Sequence, residues 1–288
     1  LGPERLKDLK WNNEQDFFSY QKSDTSLYLS DYNHVIIDSI FLSQINNSLP
    51  GENTLKSIPS ITWINSHSFR FKKDNNYYIY NTKRGGNAVP LFDIEKGAAN
   101  IEFNNQNTRY AYTIDNNLHI VSDSNNQIQV SNESNKDIIF GQAVHRYEFG
   151  IYKGTFWSND GTRLAFYRKD ESMVTDYPLM DISSRVGHAE MIKYPMAGMS
   201  SHDVNLGVYD INTGTTIYLD TGEPKEQYLT NISWGPNDKY IYIAILNRDQ
   251  NHLKFNQYSV QDGSFIKTLF EEKSDKYVQP LHVMEFVS

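Results

Sequence analysis

Apolar and polar residues alternate along most of this chain, in short runs broken by Asn, Asp, Gly and Ser. A period of two sends successive side chains to opposite faces of a strand, so the pattern predicts half-buried β-strands. The clearest unit is Gly154-Thr155-Phe156-Trp157, the turn Ser158-Asn159-Asp160-Gly161, and Arg163-Leu164-Ala165-Phe166-Tyr167. Asn-Asp-Gly between two alternating runs predicts a hairpin, because glycine accepts positive φ without a Cβ clash. The unit recurs as Asn231-Ile232-Ser233-Trp234 with Tyr240–Ala244, as Asn100–Phe103 with Tyr110–Tyr112, and as Ile61-Thr62-Trp63 with Phe69–Phe71. A worn copy pairs Trp11, through a turn over Asn12–Gln15, with Phe17–Tyr20.

A second hairpin follows the first in several units. Leu206–Ile211 leads through Asn212-Thr213-Gly214 to Thr216–Leu219, and Phe255–Val260 through Gln261-Asp262-Gly263 to Phe265–Leu269. Leu118–Val121 leads through Asn125-Asn126 to Ile128–Val130. Two hairpins per unit make a four-stranded antiparallel sheet, and most units recur at a propeller-like period on the order of 40 residues. The expected fold is all-β: a β-propeller of four-stranded blades, a partial ring of about five to six. A β-sandwich is the alternative, made less fitting by the repeated Trp-plus-turn unit. The sixth blade would begin at Val278–Phe286, where the chain stops, so a fragment of a larger ring is expected. Between Tyr167 and Val204 an insertion rich in Met, Asp, Ser and His predicts an arm or loop leaving its blade.

Composition narrows the function classes. The 288 residues carry a formal net charge of −8, with 20 Tyr, 15 Phe and no Cys. An acidic chain without a basic stripe argues against nucleic acid and anionic lipid as partners. Without cysteine there are no disulfides, thiolate nucleophiles or Cys-ligated zinc. No run approaches the roughly 18 apolar residues of a membrane span. Gly2-Pro3 reads as a natural turn or as the remnant of a cleaved tag.

No self-contained catalytic centre stands out. The chain lacks a Gly-x-Ser-x-Gly elbow. Ser200-Ser201-His202-Asp203 sets three triad residue types side by side, but neighbours on a strand face opposite ways. His188-Ala189-Glu190 lacks zinc-helix spacing, Gly85-Gly86 is a bare turn, and Glu271-Glu272 reads as a solvated pair in a charged connection. No metal or other cofactor is expected. One segment, Gly141 to Ile151, is both polar and aromatic and reads as a connection between two blades. Within it Glu148 is the candidate functional residue; the alternative is an ion pair with Arg146 or a nearby Lys.

Several stretches resemble the propeller of dipeptidyl peptidase IV-like serine peptidases of the prolyl oligopeptidase superfamily (S9B type), bacterial and prolyl tripeptidyl members above all. They are Glu148-Phe149, Gly154 to Phe166, Tyr194-Pro195-Met196-Ala197-Gly198 with Val204, and Leu219 to Glu226 with Leu229-Thr230-Asn231. The likeness is specific from about 141 to 280 and rests on the repeat alone before that. It implies that 1–288 is a fragment of an N-terminal propeller, eight-bladed in the parent, with an inserted arm at about 170–194. The C-terminal α/β-hydrolase domain that carries the Ser-Asp-His triad would be absent.

The same resemblance implies that Glu148 binds the α-ammonium of a peptide with a free amino terminus and a nearby proline. It implies no catalytic residue in this chain, a homodimer built through the arm, and a periplasmic, secreted or cell-surface location. Many dipeptidyl members carry two adjacent Glu, whereas this chain has Tyr147-Glu148, closer to the tripeptidyl branch. The family's substrate-contacting Arg finds no motif here; Arg84 and Arg146 are unassigned candidates. A stand-alone protein-binding propeller is the alternative function. A propeller glycosidase would need two carboxylates across a pocket, and no such pair can be placed.

Overall fold

A computed structural model describes residues 6–12, 16–51, 54–83, 86–122 and 126–286, without the Arg146 side chain. Gly2-Pro3, most of the Asn12–Gln15 turn, Arg84, Gly85 and Asn125 lie outside the described residues. Two compact units follow one another, Leu1–Gly97 and Ala98–Ser288.

The first unit holds two four-stranded antiparallel sheets joined through a short helix α1 (Leu42–Ser48). One sheet runs β1 (Lys7–Asn12), β2 (Phe17–Ser23), β3 (Ser26–Asp31) and β4 (Ile36–Phe41). The other runs β5 (Ile61–Asn65), β6 (Ser68–Lys73), β7 (Asn76–Asn81) and β8 (Asn87–Asp93). Alternation puts Phe17, Leu27, Leu29 and Ile40 of the first sheet against Ile61, Phe69 and Phe71 of the second, with Ile45 of α1 beneath. The Trp63 indole donates to Ser19 Oγ at 2.8 Å, so the polar edge of a large ring is satisfied where it is buried.

The second unit carries three further blades. The first is β9 (Ala99–Phe103), β10 (Tyr110–Ile114), β11 (Asn117–Val121) and β12 (Gln127–Gln129). The next comprises β13 (Ile138–Phe140), β14 (Thr155–Trp157), β15 (Arg163–Asp170), β18 (Asp203–Asp210) and β19 (Thr215–Tyr218). The last is β20 (Gln227–Trp234), β21 (Tyr240–Asn247), β22 (His252–Ser259) and β23 (Phe265–Lys273). The inserted stretch forms a hairpin of its own, β16 (Asp176–Asp181) with β17 (His188–Lys193), outside the blade. The chain is thus an all-β run of propeller blades.

Neighbouring blades of this unit are stapled at two levels. Near the first strands, the Trp157 indole donates to Glu102 O and the Trp234 indole to Phe156 O, each at 3.0 Å. The repeated Trp is therefore both core and inter-blade donor. At the turns, the Asp238 carboxylate accepts from Asn159 N at 2.9 Å, Asn159 Nδ2 at 2.8 Å and Asp160 N at 2.9 Å. On the other side Gln106 Nε2 donates to Asn159 O and Arg109 Nη1 to Gly161 O, both at 2.8 Å. The Asn-Asp-Gly turn thus closes its hairpin and also joins three successive blades.

The structure corrects three expectations. Gly141–Ile151 does not link two blades. β13 and β14 both pair antiparallel with β15, at Arg168–Asp170 and Leu164–Phe166. They are two halves of one first strand, and residues 141–154 loop out between them. Tyr167, the one residue between the two registers, closes the loop: Gly141 N–H donates to its carbonyl at 2.9 Å, and its N–H to Gly154 O at 3.0 Å. Second, Val278–Phe286 starts no strand. It packs irregularly on the last blade, with Val278 buried beside Leu253 and Phe255 and Phe286 against Tyr242. A strand needs a ladder partner, and among the described residues this segment has none. Third, Glu271 and Glu272 lie in β23, where His252 pairs with Glu271 at 2.7 Å.

Two substitutions test this packing. Asp238→Ala strands two backbone N–H groups and an amide, and we expect a loss of about 2–4 kcal/mol, read by chemical denaturation; Asp238→Asn retains part of it. At Gly154 an added Cβ would meet the backbone of Gln142, where the two ends of the loop converge. Backbone cannot step aside as a side chain can, so Gly154→Ala should lower stability by roughly 1–3 kcal/mol. An unchanged thermal midpoint would contradict this closure.

Candidate functional site

The loop between β13 and β14 carries Glu148. Its ends are anchored by apolar burial: Val144 and Ile151 sit in the core shared by the last two blades. Between them the chain forms a single 3-10 turn (His145–Tyr147) capped by Glu148, whose N–H donates to His145 O at 3.0 Å. Ile151 N–H in turn donates to Glu148 O at 3.1 Å. Non-glycine residues take positive φ three times in five positions: His145 at 51°, Tyr147 at 63° and Phe149 at 56°. Such conformations cost energy and persist only where the surroundings impose them.

Three consecutive residues at the start of β20 impose them. The Tyr228 ring meets His145 edge-on at 5.0 Å and Phe149 at 4.8 Å between centroids, gripping the loop on both sides of Glu148. Leu229 N–H donates to His145 Nε2 at 3.4 Å, and Leu229 O accepts from the buried Tyr167 hydroxyl at 2.8 Å. Burial raises the Tyr167 phenol far above its ordinary range, which keeps it a donor. Thr230 Oγ1 donates to Phe149 O at 2.7 Å. Arg248 secures Tyr228 by donating to its hydroxyl at 2.8 Å with its guanidinium over the ring.

At the end of the loop Gly150 has φ of 74°, and a Cβ there would come within 2.6 Å of Leu281 O. Only glycine fits this close approach. The backbone is thus held from three directions, while the Glu148 side chain and Tyr147, 65% exposed, face solvent. Glu148 makes no ion pair among the described residues; the Arg146 side chain, its sequence-level alternative partner, lies outside them. Arg84 lies outside them as well.

The other chemical candidates disperse. Ser200-Ser201-His202-Asp203 forms no triad: the His202 ring turns to His145, with Nε2 3.1 Å from Nδ1, while Asp203 enters β18. The Asp203 carboxyl is raised by burial and by the nearby Asp170 and Glu226. Among the described residues no group of three His, Cys, Asp or Glu could hold a metal ion. No described helix is long and apolar enough to cross a membrane. Sequence reasoning missed Tyr228, Arg248 and the His145–His202 pair; the two glycines that bracket the loop were its only local signal.

Comparison with known proteins places the fold. The family model of the dipeptidyl peptidase IV (DPP IV) N-terminal region matches residues 60–288. A crystal structure from Bacteroides ovatus, assigned as a dipeptidyl aminopeptidase IV, superposes with a TM-score of 0.83 at 40% identity, covering 97% of this chain and 39% of that one. Porphyromonas gingivalis dipeptidyl peptidase 4 shares the fold, with a TM-score of 0.74 at 21% identity over 95% of this chain and 41% of that one. A curated relative assigned as dipeptidyl-aminopeptidase B, from Phaeosphaeria nodorum, is 28% identical over 222 residues, 69% of this chain and 24% of its own length. The chain therefore spans about a quarter of that curated relative and about two fifths of the solved chains. The family model covers most of the chain: this chain belongs to the dipeptidyl peptidase IV N-terminal region family.

Proposed function

We propose that this propeller is the substrate-gating part of a prolyl-specific serine exopeptidase, and that Glu148 anchors the substrate's free amino terminus. The observation that carries the reading is a solvent-facing carboxylate on a strained loop whose backbone is fixed by two blades. A carboxylate facing a peptide ammonium makes charge-assisted hydrogen bonds. Held at a fixed distance from a nucleophile, it lets the enzyme count residues from the amino end, and such positioning contributes to rate as well as binding. The triad would lie in a C-terminal α/β-hydrolase domain, so chemistry needs both parts. Tyr147 stands exposed where many dipeptidyl members carry a second Glu, and the peptides released would be dipeptides or tripeptides. The family reading also favours a site of action outside the cytoplasm.

The test is Glu148→Gln in the enzyme that carries this domain. The neutral amide keeps the shape and removes the charge. We expect kcat/KM for peptides with free amino termini to fall on the order of a hundredfold, as loss of a charge-assisted contact costs about 1.5–3 kcal/mol. Unchanged kinetics would remove Glu148 from this role.

The same reading gives the β16–β17 hairpin a role. Pro178, Met180 and Met191 share one face, Tyr177, Leu179 and Ile192 the other, and Ile182 and Val186 are 83% and 82% exposed at the tip. A two-stranded hairpin is marginally stable alone. Its base is tied by Lys193 to Asp176 at 3.2 Å and to Asp137 at 3.5 Å. We infer that the arm packs on a second copy of the enzyme. Replacing Met180 and Met191 by Asp should convert dimer to monomer in sedimentation while leaving the fold intact. A dimer that survives both changes would count against the arm.

A further inference from the structure

His145 is 6% exposed, yet neither its packing nor the anchoring role of Glu148 calls for an imidazole. Its hydrogen bonds fix its hydrogen. A backbone N–H can only donate, so Leu229 N–H makes His145 Nε2 the acceptor. In the neutral ring the hydrogen then sits on Nδ1 and donates to His202 Nε2, 3.1 Å away. His202 therefore carries its own hydrogen on Nδ1. The two rings stack at 5.0 Å.

This relay runs in one direction and has no place for an additional proton. On His202 Nε2 the proton would face the His145 N–H; on His145 Nε2 it would face the Leu229 N–H. Either position sets donor against donor and breaks one of the two bonds that fix the His145 ring. The surroundings oppose the charge as well. Burial, His202, Lys169 and Arg248 hold His145 well below its ordinary value of 6.5. Lys169 is paired with Glu171 at 2.7 Å, and Arg248 is bonded to the Tyr228 hydroxyl. The acidic groups on this side, Asp203 and Glu226, flank His202; Glu226 accepts from Ser201 N–H at 3.5 Å.

We propose that His145 and His202 are positioning residues that form a one-proton latch, holding Glu148 toward a peptide amino terminus while neutral and releasing it on protonation. The proposal rests on the anchoring role of Glu148. The direction follows from linkage. The released loop binds the proton at an ordinary imidazole value and the latched loop binds it only at lower pH. Closure is therefore complete above about 6.5 and weakens as pH falls, approaching tenfold per pH unit.

The test measures, by calorimetry, the affinity of a free-amino peptide for the full enzyme inactivated at its nucleophile, from pH 8 to pH 5. Wild type should lose affinity below about pH 6.5. The double variant His145→Gln/His202→Gln keeps an acceptor for the Leu229 N–H and removes both titrating rings, so its affinity, whatever its level at pH 7.5, should no longer fall with pH. An acid loss that persists in the double variant overturns the latch. Should Glu148→Gln bind as wild type does, the anchoring role itself fails; weak binding by Glu148→Gln with an unchanged slope in the double variant defeats the latch alone. A readout independent of these variants is the wild-type Leu229 amide. Its exchange protection, corrected for intrinsic rate, should fall over the same pH range, and constant protection would also overturn the proposal.

Discussion

Tyr167 offers its two backbone groups to opposite ends of one loop, and the site is built on that closure. A ladder residue normally pairs with a continuous neighbouring strand. Here Gly141 bonds to its carbonyl and Gly154 accepts from its N–H, so the first strand of the blade is cut and rejoined with the loop expelled between the halves. Both backbone groups of Tyr167 stay paired at the cut, which makes the interruption tolerable in a buried ladder. Glycine at 154 follows directly, because the strand halves meet where a Cβ would fall on the Gln142 backbone. The Tyr167 side chain extends the same constraint into the next blade through Leu229 O.

The blades supply rigidity to that closure. Trp157 and Trp234 each reach back to a carbonyl of the preceding first strand, and the Asp238 carboxylate gathers three donors from the preceding turn. These are fixed polar contacts between elements that also meet through apolar side chains. The cost of positive φ at His145, Tyr147 and Phe149 is met by burial of Val144 and Ile151 and by the grip of Tyr228, Leu229 and Thr230. A carboxylate mounted this way is positioned by its backbone.

The sequence made the blades legible because alternation and turn chemistry are local. Asn159-Asp160-Gly161 and the recurring Trp marked hairpins that the structure contains. Glu148 stood out in a segment both polar and aromatic, and its role was legible only through family likeness. The loop that carries it was misread as a blade connection, since Ile138-Ile139-Phe140 is too short to declare itself half a strand. The grip of Tyr228 on this loop was invisible for another reason: its contacts span about eighty residues of chain, and no periodicity encodes them. Val278–Phe286 misled in the opposite direction, having the apolar pattern of a strand but, among the described residues, no ladder partner.

The central claim is that Glu148 meets a peptide's amino terminus, and a crystal structure of the enzyme with a free-amino peptide in place tests it most directly. The account predicts the α-ammonium within about 2.7–2.9 Å of a Glu148 carboxylate oxygen, the range of a charge-assisted N–H···O bond, with the loop unchanged between Gly141 and Gly154. An ammonium held by other groups, with Glu148 still facing solvent, would contradict it.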